Sequence, residues 1–139
     1  MQLSESEARA RLAAARVVRL ATVGADGEPH LVPITFAVEG DLIYTAVDHK
    51  PKSTPNLRRL RNIAQNPRVA LLADEYSDDW TRLWWVRVDG EASVAADAAS
   101  TAHPIDVLVA RYEQYTAHRP AGALIVIRAT RWTGWSASD

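Results

Sequence analysis

A cluster of positive charge follows a stretch of sequence that is typical of a β-strand. The segment DHKPKSTPNLRRLR, residues 48–61, has five cations among its fourteen residues, and Asp48 is its one acid. A helix is predicted to begin within the segment, so unpaired backbone N–H groups and the positive end of the helix dipole add to the charge. A strand, a short basic loop and a helix N-terminus together indicate an anion site. Its candidate residues are Lys50, Lys52, Ser53, Thr54, Arg58, Arg59 and Arg61.

The chemistry of this segment favours a phosphate group. A charge-assisted hydrogen bond contributes roughly 1.5–3 kcal/mol, so two or three of them would hold one phosphate. The sequence has no P-loop and no GxGxxG motif, and therefore does not indicate nucleoside triphosphates or NAD. A solvated helix face is the alternative for the arginines. Nucleic-acid binding through Arg58–Arg61 is disfavoured by the formal net charge of −1.

The tryptophans are the second group of candidate residues, and all five lie between Trp80 and Trp135. Neighbours on a strand point to opposite faces, so Trp84 or Trp85 faces away from the core that holds the other. That side chain lies in a subunit interface or lines a pocket for a flat ligand. Trp132 and Trp135 raise the same question, and core packing is the alternative.

The remaining polar residues predict no metal site and no covalent catalysis. The four histidines lack a metal-ligand spacing, and each is expected to be structural or solvated. The acidic run of residues 74–79 is read as a solvated loop. No GxSxG motif or Cys/His pair is present.

The elements that must position these residues are predicted in the order α-βββ-α-ββ-α-β. Six mainly antiparallel strands with three helices predict a small barrel with helices packed outside, in the mainly β, α+β class. Ser4 and Glu7 form a capping-box pattern at the first helix, and Pro104 is expected to begin the third. The predicted helices are 4–16, Thr54 to about Asn66, and 104–117; the strands are 17–23, 30–38, 42–47, 68–74, 80–94 and 123–136.

Composition narrows the class of protein. With 139 residues, 47% of them hydrophobic, the chain is expected to fold as one domain over residues 1–139. There are no cysteines, no apolar run near the roughly 20 residues of a membrane span and no secretory signal. We therefore expect a cytoplasmic protein.

Three segments carry a family resemblance: RLATVGADGEPHLVPITFAVEGDLIYTAVD, KPKSTPNLRRLRNIAQNPRVALL and WWVRVDGEASV. In this order and spacing they resemble the pyridoxamine 5′-phosphate oxidase-like split-barrel superfamily, which includes FMN-binding proteins. The motifs DHKPK, NPRVALLAD, DDWTRLWWVRVDGEA and RWTGWS look most like the actinobacterial branch that uses the deazaflavin coenzyme F-420. The chain is far shorter than true pyridoxamine phosphate oxidases and lacks a recognisable C-terminal substrate-phosphate site.

The resemblance implies a six-stranded antiparallel split barrel and a homodimer with two cofactor sites at its interface. It implies that Lys50 and Lys52 hold the cofactor phosphate, with help from the helix that follows. Backbone near Val32–Thr35 and Thr45–Val47 would meet the ring system, and the partner subunit would add aromatic residues. The implied ring and aromatic contacts are Pro33, Ile34, Thr35, Ala46, Val47, Trp80, Trp85 and Trp132.

The reaction class implied by the resemblance is hydride transfer between F-420 and a small organic substrate. F-420 carries a phosphodiester and a polyglutamate tail, so the additional arginines favour it over FMN, which remains the alternative cofactor. His30 and Tyr44 are candidate proton donors. A carrier or sensor that binds F-420 without turnover is the other alternative function.

Overall fold

The structure is a computed structural model that describes residues 1–47 and 57–138. The predicted helix start at Thr54 and Pro55 lies outside these residues. Seven strands, four helices and one short 3-10 turn follow in chain order. They are α1 Glu5–Ala14, β1 Val18–Val23, β2 Pro29–Ile34, β3 Ala37–Glu39, β4 Leu42–Ala46, α2 Leu57–Gln65, β5 Arg68–Glu75, the 3-10 turn Trp80–Arg82, β6 Trp84–Ala95, α3 Ala98–Arg111, α4 Gln114–Ala117 and β7 Leu124–Ser136.

All the strands form one sheet in the order β2-β1-β5-β6-β7-β4-β3, with every pairing antiparallel. The edge strands β2 and β3 are joined by only two residues, Thr35 and Phe36. Laid flat, seven strands would span about 29 Å, whereas the Cα atoms of Ile34 and Ala37 can be at most about 11 Å apart. The sheet must therefore curl until its two edges meet, which confirms the predicted split barrel.

The strand count differs from the prediction of six. Residues 30–38 were expected to form one strand, but the chain leaves β1 after Ile34 and pairs with β4 from Ala37 onward. At the crossing, Thr45 Oγ1 donates a hydrogen bond to the Thr35 carbonyl at 2.7 Å. Phe36 N–H donates to the Tyr112 hydroxyl at 3.0 Å. Side chains thus bond the backbone of the crossing residues, and one apolar run is divided between two edges.

Two further element boundaries were predicted wrongly. The third helix begins at Ala98, because the Asp97 carboxylate accepts a hydrogen bond from Ser100 N–H at 3.0 Å, and Pro104 lies inside it. Trp80 belongs to the 3-10 turn, which Asp79 caps by accepting from Thr81 N–H. Asp89 and Gly90 mark a register shift within β6, which is one continuous strand.

The helices cover the barrel unequally. The first helix has the predicted capping box, in which Ser4 Oγ accepts from Glu7 N–H and the Glu7 carboxylate accepts from Ser4 N–H. Its buried Ala8 and Leu12 join the barrel interior, as does Ile63 of α2. The third helix packs instead on β3 and β4 from outside, through a separate cluster that includes Tyr44, Leu108 and Tyr112. In residues 1–47 and 57–138, no helix has the length and apolar character needed to cross a bilayer.

Candidate cofactor and substrate site

The crossing between β2 and β3 is held by the C-terminal end of α3. The Arg111 guanidinium donates to the carbonyls of Phe36, at 2.9 Å, and of Ala15. The Tyr112 hydroxyl lies 2.8 Å from the Arg16 carbonyl and 2.9 Å from the Phe36 carbonyl. The residues before β1, the barrel crossing and the end of α3 therefore form one hydrogen-bonded junction.

Tyr115, three residues beyond Tyr112, lines a larger and a smaller cavity. The larger measures about 950 Å³ and is lined by residues that include Arg16, Thr35, Arg111 and Tyr115. The smaller measures about 220 Å³ and is lined in part by Ala46, Val47 and Tyr115. Tyr115 therefore contributes to both cavities, and its hydroxyl lies 2.8 Å from Thr35 Oγ1. The ends of β2 and β4, which pair with different strands, meet one aromatic side chain.

The predicted phosphate site adjoins the smaller cavity along the chain. Lys50, Lys52, Ser53 and Thr54 lie outside the described residues. The segment that contains them begins after Val47, which lines the smaller cavity, and ends at the start of α2.

Arg58 and Arg59 lie on α2, which is fixed to the end of β1. Asn62 Nδ2 donates to Thr22 Oγ1 at 3.1 Å in a buried contact. Gly24 permits this approach, since a Cβ there would lie 2.7 Å from Asn62 Oδ1. Arg58 also pairs with Glu28 at 3.6 Å. The helix α2 is thereby held against β1, with Arg58 near the start of β2.

His30 lies beneath these arginines. Burial lowers its pKa below the ordinary value, and the positive charges of Arg58 and Arg59 lower it further. Its Nδ1 atom is buried without a hydrogen-bond partner among the described residues. His30 therefore favours the neutral form, chiefly because it is buried.

The tryptophans divide between two environments. Trp84 and Trp132 are half-buried against the barrel core, with the guanidiniums of Arg11 and Arg9 over their rings at 5.2 and 4.6 Å. Trp85 is paired with Trp135 on the opposite face, and Trp80 is 76% exposed. The prediction that Trp84 and Trp85 point to opposite faces agrees with these positions.

The structure brings together only part of the predicted site. Thr35, Ala46 and Val47 line the two cavities, whereas Ile34 is buried in the core. Pro33 is exposed, and Trp80, Trp85 and Trp132 do not contribute to the lining of either cavity. Their contribution from a partner subunit stays a prediction, as does the phosphate site.

Sequence reasoning missed the tyrosines and arginines of the junction. The sequence predicts a single helix over residues 104–117, which merges the short helix α4 with α3. The helix ends at Arg111 and a new turn places Tyr115 at Thr35. The polar spacing RYEQY, residues 111–115, was the available signal, but nothing in it identifies the strand that it meets.

The two candidate proton donors lie elsewhere. His30 is near the opposite end of β2 from Thr35. Tyr44 is buried, and its hydroxyl donates to Glu39 at 2.8 Å. Burial and the Glu39 carboxylate raise the pKa of Tyr44 to about 12. Neither side chain lines the two cavities, so Tyr115 is better placed for proton transfer.

Comparison with known proteins adds a family and a fold. Residues 4–136 match the family model described as Pyridoxamine 5′-phosphate oxidase. A 5a,11a-dehydrotetracycline/5a,11a-dehydrooxytetracycline reductase of Streptomyces rimosus is 40% identical over 57 residues, which is 41% of this chain and 39% of that relative's length.

Two solved structures share the fold at low identity. A FAD-binding protein of Mesorhizobium loti is 24% identical with a TM-score of 0.72, over 96% of this chain and 95% of that one. A conserved hypothetical protein of Mycobacterium tuberculosis is 24% identical with a TM-score of 0.75, over 97% of this chain and 86% of that one. Both matches extend over nearly the whole barrel.

Proposed function

This chain belongs to the pyridoxamine 5′-phosphate oxidase family, and from that premise we propose that it is an F-420-dependent reductase acting on a small organic substrate. The observation that carries the proposal is the pair of cavities that meet at Tyr115. One is bordered by the end of β4, from which the basic segment leaves, and the other by the β2–β3 crossing. A cofactor ring and a second organic molecule have adjoining space here.

The residues present fit a flat, anionic cofactor. Thr35, Ala46 and Val47 would border its ring system, and Lys50 and Lys52, with Ser53 and Thr54, would hold its phosphate. Arg58 and Arg59 lie in the first turn of α2, where a longer anionic tail would pass. F-420, when bound, supplies a two-electron hydride donor or acceptor.

The protein's own part in the reaction is orientation and proton supply. Tyr115 lines both cavities, and its hydroxyl is held by Thr35 of the larger one, so it is positioned to give a proton to a substrate that gains a hydride. One hydride and one proton then saturate one activated double bond. The matched Streptomyces protein, a reductase of a dehydro compound, is compatible with this class of reaction.

FMN is the second candidate cofactor. A FAD-binding protein with the same fold favours a flavin, and FMN carries one phosphate for the same basic segment. The arginines of α2 distinguish the two cofactors, because FMN has no tail that would reach them. We therefore place F-420 first and regard a binding-only carrier or sensor as the alternative to turnover.

We also propose that the protein is a homodimer through its outer sheet face. This face consists of the outward side chains of β1, β2, β5, β6 and the C-terminal half of β7. Among the described residues it includes Leu31 at 67% exposure, Leu72 at 39% and Trp135 at 38%, together with half-buried Trp85. The helices α1 and α2 pack into the barrel interior and leave this face uncovered. A second copy is the natural cover for a sheet face with these exposed apolar side chains.

Titration of the purified protein with F-420 and with FMN tests the cofactor. F-420 should bind more tightly, and Lys52→Ala should weaken binding about ten- to a hundredfold, as expected for one charge-assisted bond. Arg61→Ala should cost less, and its effect should shrink with a shortened glutamate tail, because a tail contact is mobile and screened. Stoichiometric FMN binding without F-420 binding would overturn the choice of cofactor.

A further inference from the structure

Two arginines line the larger cavity without a carboxylate partner among the described residues. The Arg111 guanidinium donates to two backbone carbonyls, and Arg16 donates to the Arg111 carbonyl at 3.3 Å. Every ion pair of the described residues involves other side chains. Carbonyl oxygens accept hydrogen bonds but do not neutralise a guanidinium, which stays charged at any relevant pH.

The Arg111 guanidinium is already fixed. It lies over the Phe36 ring at 4.6 Å and the Tyr112 ring at 5.3 Å, between its two carbonyl acceptors. A ligand that meets it loses little side-chain entropy on binding. Two of the five guanidinium N–H donors account for these bonds, so donors remain for a ligand in the cavity.

The rest of the lining selects shape more than charge. Tyr112 and Tyr115 supply aromatic walls, and Val17 and Val109 supply aliphatic ones. Among the described residues of the lining, Glu113 is the one carboxylate, against two guanidiniums, and it is exposed at the start of α4. A volume of about 950 Å³ lies near the upper end of the range for small-molecule sites.

We propose that the larger cavity selects a flat conjugated substrate that carries an ionised oxygen, a carboxylate or an acidic enolate, and that Arg16 and Arg111 are its specificity-determining residues. This inference rests on the proposed reductase function, which it deepens by naming the substrate class. The ionised oxygen is bound at the arginines, while the activated double bond lies toward Tyr115. The arginines thus fix which end of the substrate reaches the cofactor.

The test is direct binding of a matched pair of probes to the cofactor-free protein. Coumarin-3-carboxylate is flat, conjugated and anionic, and its methyl ester is nearly the same shape but neutral. Isothermal titration should show that the acid binds about tenfold or more tightly than the ester, because only the acid makes charge-assisted bonds. Raised salt should weaken binding of the acid alone.

Variants locate the interaction. Arg16→Gln should weaken binding of the acid about tenfold and binding of the ester less than about twofold. The substitution should leave the fold intact, since Arg16 is exposed and one hydrogen bond holds its side chain. Arg11→Gln is the matched control, because Arg11 does not line the larger cavity but a neighbouring one of about 430 Å³, which shares Arg16 and Val17 with it. Arg11→Gln should change neither the affinity for the acid nor the affinity for the ester. Ala110→Trp, from an exposed position in the lining, should block both probes.

Several results would overturn the inference. Equal affinity for acid and ester shows that charge is not selected, and equal losses for both probes in Arg16→Gln show that the arginine only shapes the cavity. Undiminished binding of the acid to Ala110→Trp places it elsewhere. Since no cofactor is present, these outcomes are independent of the F-420 titration, and failure of either proposal is recognised separately.

Discussion

The Tyr115 hydroxyl lies 2.8 Å from Oγ1 of Thr35, so α4 is bonded to the first of the two residues that join the edges of the barrel. Thr35 also accepts, through its carbonyl, a hydrogen bond from Thr45 Oγ1 at 2.7 Å. The strands β2 and β4 and the helix α4 therefore converge at one residue. This convergence gives the two cavities a common wall in Tyr115.

Tyr115→Phe should lower kcat for substrate reduction about a hundredfold, because it removes the proton donor and little else. Affinity for F-420 should change less than about twofold, since the ring stays in place. Steady-state and single-turnover kinetics with reduced F-420 measure the two effects separately.

Thr35→Val is the matched control for this substitution. It keeps the Tyr115 hydroxyl but removes its partner, so kcat should fall much less than in Tyr115→Phe. An unchanged kcat in Tyr115→Phe would assign proton transfer to water or to another group. Equal losses of kcat in both variants would indicate that the Tyr115–Thr35 hydrogen bond has a structural role.

Tyr112→Phe should lower the free energy of unfolding by about 1–3 kcal/mol, the cost of leaving buried polar groups unpaired. The hydroxyl accepts from Phe36 N–H and donates to a carbonyl, and the side chain is 8% exposed. Urea denaturation measures the change. The exposed Tyr76→Phe serves as control and should stay within about 0.5 kcal/mol of the parent protein. A neutral effect at Tyr112 would mean that water replaces the hydroxyl.

Most of the fold could be predicted from the sequence, because the patterns that indicate helix caps and strands are local. Ser4 and Glu7 cap α1 as expected, and alternating apolar residues marked the strands of the antiparallel sheet. The division at Thr35 was not predictable, because both sides of it are extended and apolar. Only the change of partner from β1 to β4 separates them, and that change depends on distant residues.

Only the part of the candidate site that lies within the family motifs could be predicted from the sequence. Thr35, Ala46 and Val47 were named from the family resemblance, and they border the cavities. Arg16, Arg111 and Tyr115 were not named, because their roles depend on α3 ending at the barrel crossing. The third helix ends where Tyr112 becomes extended and its hydroxyl meets the Arg16 and Phe36 carbonyls, contacts that no short motif encodes.

Leu72→Glu should convert the proposed dimer to a monomer. Leu72 lies at the centre of the outer sheet face, opposite Arg19 and Arg87 on the neighbouring strands. A glutamate there is favoured beside two arginines in the monomer but would be desolvated between two copies. Light scattering at micromolar concentration measures the mass, and circular dichroism checks the fold.

Val94→Glu provides the control for Leu72→Glu. Val94 is similarly exposed, at 41%, but lies near the end of β6, where that strand pairs with the start of β7. Its substitution should leave the dimer intact. A parent protein that is monomeric at this concentration would contradict the proposed interface outright.

His30 should make the protein less stable in mild acid. Its pKa in the folded state is lowered, chiefly by burial, whereas the unfolded chain takes up the proton near pH 6.5. Below about pH 6.5 the unfolded state therefore binds more protons, and the free energy of unfolding falls until the folded-state pKa is reached. Denaturation curves between about pH 5 and 7 should show this slope, and His30→Gln should reduce it. His118→Gln, at an exposed position, should leave it unchanged.

Glu28→Gln should strengthen binding of long-tailed F-420. Glu28 and Arg58 form an ion pair at 3.6 Å, so a glutamate tail would have to compete with Glu28 for the same guanidinium. An exposed pair is worth at most about 1 kcal/mol, so the gain should not exceed about fivefold.

Fluorescence titration with long- and short-tailed F-420 should show the gain only for the long tail. Arg58→Gln should reduce the difference in affinity between the two tails and should abolish the gain from Glu28→Gln. Identical affinities in Glu28→Gln and the parent protein, for both tail lengths, would assign Arg58 to the solvated face of α2.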